Sequence, residues 1–443
     1  MRTSFGLSLM LLCVALASRG AVAQALPELP TMPAASTTAD AAPRPWGLQA
    51  QWSLLGYTDR LFGTADLPQA RTQAQRLALD LRRDDSLRGG WRYGLSARLE
   101  RVWVIDADPG APDRAGALGS LREAWVSHAL RDAGSTGFVD LGRINWRLGA
   151  GSGYNPGDFF KTRAVRSSTS QDPGSLRLER LGVFMLRGQW LGEQGAWTLA
   201  LAPRLTARHS DDDGAYSLAV ERTNGHAAGL LRWAPRLAER VSLDLQLFRR
   251  EGERVQLGAN ATWLASDALV FHTEVAFGRR PALAGPAATS AASSPLWRAR
   301  AAVGGTLTLP AGIELTLEWQ HTGDALSRSD WDEWRRATDA ATQIRLGALA
   351  RERVAQQEPL VRANAFFRAA WRQPFGVADL DLSAFVQLNT FDHSRTWQLR
   401  ASQGLGGRWA LSAQVGALQG APDTEYGSSS LKRYGSLQLS CAF

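Results

Sequence analysis

Acid–base or metal chemistry in this chain would have to come from six histidines, His128, His209, His226, His272, His321 and His393. They are scattered singly, and no two stand at zinc-ligand spacing. A hydrolase needs a nucleophile, a base and an orienting group brought together. His272 and His321 could serve as bases, but a lone histidine on a strand is more often a polar wall residue. The pattern implies no metal, no cofactor and no enzyme. Ser210-Asp211-Asp212-Asp213 offers hard oxygen ligands, yet it lacks the glycine-spaced pattern of a dedicated calcium site and reads as a solvated loop tip. Ser329 to Ala340 (SDWDEWRRATDA) reads as a short loop helix with Trp331 and Trp334 on one face, either to stack on a sugar or to close the loop's own small core. The formal net charge is +8, carried almost wholly by arginine, with Lys161 and Lys432 the only lysines. These cations are spread along the chain instead of forming a patch, which argues against a nucleic-acid partner.

The elements that must position these residues begin after a distinct N-terminus. Arg2, an apolar stretch from Phe5 to Ala17 and the small-residue run Ala21-Val22-Ala23 read as a secretory signal peptide over residues 1–23. Cys13 follows Leu12, where a lipid-anchor signal needs a small residue, and its removal leaves Cys441 without an internal disulfide partner. Residues 24–45, rich in Pro, Ala and Thr, read as a flexible periplasmic leader. No later stretch approaches 18 consecutive apolar residues, so transmembrane helices are excluded, but membrane-crossing strands are not.

From residue 46 to 443 a period of two takes over. Val241, Leu243, Leu245 and Leu247 alternate with Ser242, Asp244 and Gln246; Ile313, Leu315, Leu317 and Trp319 alternate with Glu314, Thr316, Glu318 and Gln320. Each such segment has one apolar and one polar face. Segments of about 10 to 13 residues match the tilted strand that crosses a bilayer and exceed the usual globular strand. The spacing predicts about 18 of them, with 16 the alternative, beginning near 46, 73, 91, 120, 136, 176, 196, 225, 240, 254, 268, 296, 313, 361, 378, 395, 408 and 434. Every second connection is short, as at Asp84-Asp85, Pro310 to Gly312 and Leu405 to Gly407, and most of the others are long, including 148 to 175 and 322 to 360. Most of the 17 tryptophans fall near segment ends, among them Trp91, Trp146, Trp190, Trp197, Trp233, Trp263, Trp297 and Trp409. There an indole sits best between lipid tails and headgroups. The fold expected is all-β, a transmembrane antiparallel up-and-down barrel over 46–443.

Two stretches carry a likeness to known families. The last strand runs Tyr434, Gly435, Leu437, Leu439, Cys441 and terminal Phe443 against Ser436, Gln438 and Ser440, and it resembles the C-terminal assembly signal of outer-membrane porins, with Tyr434, Leu437, Leu439 and Phe443 as its carriers. Leu121 to Val126 (LREAWV), Asp140 to Arg143 (DLGR) and Gly149 to Phe160 (GAGSGYNPGDFF) resemble a hairpin of large Gram-negative porin-like families, in particular the phosphate-selective porins and the alginate-export type channels. The resemblance covers about a tenth of the chain and implies a solute channel in the bacterial outer membrane. Its implied partners are membrane lipid and lipopolysaccharide, the barrel assembly machinery and a small-molecule solute, with a homo-oligomer left open.

If apolar faces meet lipid, polar faces line the lumen. That puts Arg92, Arg98, Arg298, Arg300, Arg362, Arg368 and Arg400 on the wall, together with acids such as Asp80, Glu100, Glu274, Glu314 and Glu318. The signs alternate from strand to strand, which reads as cross-strand ion pairing at least as well as anion selectivity. The loop from Gly149 to Ser175 is long enough to fold into the mouth, so Lys161, Arg163 and Arg166 are candidates for a pore constriction; an exposed surface loop is the alternative. The reading favours passive passage of small polar solutes, anions among them, through a general or mildly anion-preferring channel. A barrel-anchored receptor, adhesin or assembly component is the runner-up, and an outer-membrane hydrolase the third.

Overall fold

The computed structural model describes residues 47–59, 69–132, 135–207, 214–287, 294–337 and 339–443. The signal-peptide stretch, the proline-rich leader, His209 and the acidic run at 210–213 lie outside them. Among the described residues are eighteen strands. The first nine are β1 Gly47–Asp59, β2 Ala70–Ser86, β3 Trp91–Ala107, β4 Gly116–Asp132, β5 Ser135–Ile144, β6 Val183–Gly192, β7 Gly195–Ala202, β8 Ala228–Pro235 and β9 Val241–Arg250. The second nine are β10 Gln256–Ser266, β11 Leu269–Arg280, β12 Leu296–Leu309, β13 Ile313–Thr322, β14 Ala363–Arg372, β15 Leu380–Asn389, β16 Arg395–Gly404, β17 Trp409–Gln419 and β18 Leu431–Ala442. Five helices sit in the connections: α1 Pro173–Glu179, α2 Val220–Thr223, α3 Arg328–Arg336, α4 Ala340–Gln356 and α5 Glu425–Ser428.

Every strand pairs antiparallel with its chain neighbours, and β18 pairs with β1 through Tyr57↔Tyr434 and Ser53↔Gln438, so the sheet closes on itself. Closure leaves no backbone edge to be satisfied by solvent, the condition a sheet must meet to sit in hydrocarbon. Sixteen strands are excluded.

Alternation decides the two faces. Leu77, Leu79, Leu99, Leu199, Leu247, Leu317, Trp319 and Leu399 are exposed on the outside, while Arg98, Thr198, Glu318 and Gln398 are buried on the inside. So large an exposed apolar surface would be untenable in water and is the face a bilayer covers. Aromatic pairs bind neighbouring strands on that outer face: Trp197 stacks on Trp233 at 5.4 Å, Trp263 on Phe271 at 5.7 Å and Trp297 on Phe277 at 4.9 Å. Within the described residues no helix is long and apolar enough to cross a membrane.

Three expectations need correction. Residues 173–179 form α1, not the start of a strand: Ser175 to Glu179 alternates in period two, but Asp172 caps the helix by accepting from the Gly174 amide, with Pro173 behind it. Asp84 and Asp85 are the tail of β2, and the turn falls at Leu87 to Gly90, where Gly89 and Gly90 supply positive φ. Trp146 does not belong to an outer girdle; it lies in the connection after β5, stacked on Phe160 and under the Arg187 guanidinium.

Candidate pore and its inward loop

The connection between β5 and β6, residues 145–182, enters the lumen. Phe159 stacks on Phe248 of β9 at 4.5 Å, and Phe160 meets the same ring edge-on. With Met185 and Leu230 they form an apolar cluster on the inner side of the wall. A lumen wall is ordinarily polar, so this patch is the first sign that something covers it. The Asp158-Phe159-Phe160 triplet was the available sequence signal, and lumen-side Met185, Leu230 and Phe248 were its hidden counterparts.

Ahead of the two phenylalanines the backbone is held by carboxylates. Glu274 of β11 accepts from the Gly157 amide at 2.7 Å, the Gly151 amide at 3.2 Å and the Asn155 side chain at 3.2 Å. Glu318 of β13 accepts from the amides of Ser152, Gly153 and Tyr154 at 2.8, 3.2 and 2.9 Å, and also from Gln320 at 2.8 Å. His272 Nε2 lies 3.1 Å from Glu318. Charge-assisted bonds of this kind are about twice as strong as neutral ones, and here they go to main chain, so the loop's path is fixed irrespective of its side chains. The glycines follow from that closeness. A Cβ on Gly149, whose φ is +89°, would stand 2.2 Å from the Glu274 carboxylate, and one on Gly153 would stand 2.5 Å from the Phe366 ring.

Farther along, the loop crosses to other strands. Ser167 donates to Glu100 of β3 at 2.5 Å. Ser170 and the Gln171 amide bond Gln398 of β16, Asp172 pairs with Arg368 of β14 at 3.5 Å, and Gln414 of β17 donates to the Thr169 carbonyl at 2.6 Å. Strands β3 and β11 stand nearly opposite each other in a ring of eighteen. The segment therefore spans the lumen instead of lining one side.

Lys161, Arg163 and Arg166 all sit on this inward segment, each engaged. Lys161 is buried, 3.0 Å from Glu358, donating to the Asn155 carbonyl and lying over the Tyr154 ring. Burial pulls the Lys161 ammonium below its ordinary pKa against the opposing pull of Glu358. Burial alone would raise the Glu358 carboxyl, but Lys161, Arg300 and Arg353 together hold it well below the usual carboxylate range. Tyr154 donates to Glu358 at 2.5 Å, and its hydroxyl is raised well above the ordinary range by burial and by that carboxylate. Arg163 pairs with Glu352 of α4, and Arg166 donates to the carbonyls of Gly119, Gly214 and Ser217. Two loops, 145–182 and 323–362, are thereby tied together over the lumen.

The wall arginines divide. Arg98 is buried between Asp80 at 2.6 Å, directly opposite it on β2, and Glu100 at 2.8 Å. Arg300 reaches Glu358 at 2.7 Å and Gln256 at 2.9 Å. Arg298 donates to the Arg280 and Gly323 carbonyls, and Arg362 to the Ala325 carbonyl. Arg92 is exposed near a short turn. Arg400 is half-buried on β16 and makes no hydrogen bond or ion pair among the described residues. Cross-strand pairs also join Arg187 to Asp140 and Arg232 to Asp244, at 2.8 and 2.6 Å. Arg408 and Asp379 fall in short turns, one residue outside the strands that follow them.

Trp331 and Trp334 are buried in the core of the 323–362 loop with Leu326, Leu346 and Val361, their indole N–H groups donating to Asp392 and to the Ala284 carbonyl. Their rings are closed to a sugar. His321 faces away from the side that carries Glu318, Gln320 and Thr322, so it cannot join His272 in one site. Tyr434 turns inward to donate to Gln398 at 3.0 Å, while Leu437 and Phe443 are exposed outside; Leu439 stands on the same face as Leu437.

A closed eighteen-strand cylinder, apolar outside and polar within, whose lumen is crossed by a loop, is a porin-like transmembrane β-barrel. Among solved structures it is similar to a variant of the Rh. blastica porin, at 12% identity over 90% of this chain and 100% of that chain with a TM-score of 0.39. It is also similar to OccK7 (OpdD) of Pseudomonas aeruginosa, at 12% identity over 90% of this chain and 99% of that chain with a TM-score of 0.49. No family model and no curated protein matches the chain.

Proposed function

We propose that the barrel is an outer-membrane channel for passive passage of small polar solutes, with loop 145–182 as its constriction. The observation that carries the reading is the fastening of that loop across the lumen by Glu274, Glu318, Gln398 and the Phe248 ring. A segment fixed at both sides narrows a pore, whereas loops that serve only for surface binding would project outward. In this reading Lys161 and Arg163, each matched by a carboxylate, pin the constriction, and Arg400, which has no ion pair among the described residues, favours mild anion preference. Liposome swelling with sugars of graded size tests the channel: a size cut-off supports it, and exclusion of every sugar turns the reading to a barrel-anchored receptor or adhesin. Reversal potentials before and after neutralising Lys161, Arg163 and Arg166 together test ion preference.

A further inference from the structure

Between the inward loop and the wall of β13–β16 lies a cavity of about 190 Å³, which Glu425 and Tyr426 of α5 also line. Five primary amides line it: Gln171, Gln320, Gln357, Asn364 and Gln387. An amide offers donors and an acceptor without net charge. Several of these groups are only partly used within the protein. Asn364 is buried and its Nδ2 donates to the Val361 carbonyl, which aims its oxygen; that oxygen accepts nothing among the described residues. Gln387 donates to Gln320, and its own Oε1 is likewise without a donor among them, as are the Gln171 side chain and the Thr396 hydroxyl. Gln171 is exposed and Gln387 and Thr396 are half-buried, so these groups face the cavity and are free to hydrogen-bond a polar molecule that enters it.

The remaining lining narrows the class. Phe385, Tyr154 and Tyr426 supply flat apolar surfaces beside the amides, the combination that grips a ring with C–H faces and hydroxyl edges. Among the described residues neither lysine nor arginine lines the cavity, so an anion finds no counter-charge there. Glu425 is pushed up to about 8, first by burial and then by Asp392, and near neutrality it is largely a hydroxyl donor. The volume is below the roughly 300–1,000 Å³ of pockets for drug-sized ligands.

We infer that this cavity is a recognition site, at the loop-bearing mouth of the barrel, for a neutral, hydroxyl-rich solute about the size of one sugar ring. It deepens the channel reading by naming a solute class, and it is tested apart from conduction. Saturation-transfer NMR on the full chain in detergent micelles, with D-glucose and D-gluconate as probes, measures binding whether or not the lumen conducts. Glucose transfer should saturate in the millimolar range and gluconate transfer should be far weaker. Gln387→Leu and, on the exposed loop, Gln171→Leu should each weaken glucose binding by about tenfold or less, the span of one lost hydrogen bond. Heat-modifiable gel migration verifies that each variant is folded. Absence of saturable glucose transfer, gluconate binding as strong as glucose, or unchanged glucose saturation in both folded variants would overturn the inference. Closed liposomes together with saturable glucose binding would refute the channel and leave this site standing.

Discussion

Replacing Glu318 by Ala removes the acceptor of three consecutive loop amides, those of Ser152, Gly153 and Tyr154, and leaves the Gln320 amide and His272 without their shared partner. A buried donor left unsatisfied costs about 1–3 kcal/mol. At the lower bound the three main-chain amides together lose about 3 kcal/mol, and at about 1.4 kcal/mol per tenfold this is roughly a hundredfold in the equilibrium between the docked and released loop. The barrel itself should survive, since β13 keeps both its ladders to β12 and β14. Hydrogen exchange read by mass spectrometry on peptides spanning 149–160 should therefore accelerate by about two orders of magnitude, while peptides from β12 and β14 stay protected. Single-channel conductance should rise in the same variant, because the released segment no longer crosses the lumen. Unchanged exchange at 149–160 would show that these carboxylate bonds do not hold the loop, and the constriction argument would fall with them.

Gly149→Ala forces a Cβ against the Glu274 carboxylate at a positive φ, and Gly153→Ala forces one against Phe366; each should destabilise the docked loop by about 1–3 kcal/mol, seen as faster exchange at 149–160. Trp331→Ala should cost the 323–362 loop about 3–5 kcal/mol, so limited proteolysis should cut that loop while heat-modifiable migration persists. The Glu425 carboxyl, raised to about 8 in the folded chain, binds more protons there than when released. Its contribution is thus complete below the ordinary carboxylate range and is lost as pH rises through about 8. Proteolysis in the 420–430 loop should quicken between pH 6 and 9, and Glu425→Gln should flatten that dependence.

The wall was readable because one rule governs it. With lipid outside and water inside, each step along β9 or β13 must change face, so the period of two in Val241 to Leu247 and in Ile313 to Trp319 fixed both the strands and the side that each residue occupies. Ends were less readable. Asp84 and Asp85 look like turn residues, but polar residues are tolerated where a strand projects beyond hydrocarbon, and β2, β3 and β4 reach 17 residues each. Alternation also could not separate Ser175 to Glu179 from a strand, because the cap at Asp172 and Pro173 decides the conformation there. The site was partly legible. The loop after Gly149 was readable as long enough to fold into the mouth, but what its glycines approach, Glu274 and Glu318, lies over a hundred residues away, and no local pattern reports such a meeting. The same holds for the mouth cavity, whose amides come from four separate segments and look in sequence like ordinary polar positions on strands and loops.

The pairing of β1 with β18 has a consequence for how the chain is made. Ser53 and Gln438 are partners although 385 residues separate them. The contacts of this seam, the most remote in sequence, carry the greatest loop-closure entropy in the cylinder. Until it forms, both flanks of the growing sheet keep unsatisfied amides and carbonyls, which hydrocarbon will not accept. Zipping that seam is accordingly the step that turns sheet into ring, and deleting Leu431 to Phe443 would leave a curled ribbon with two raw borders.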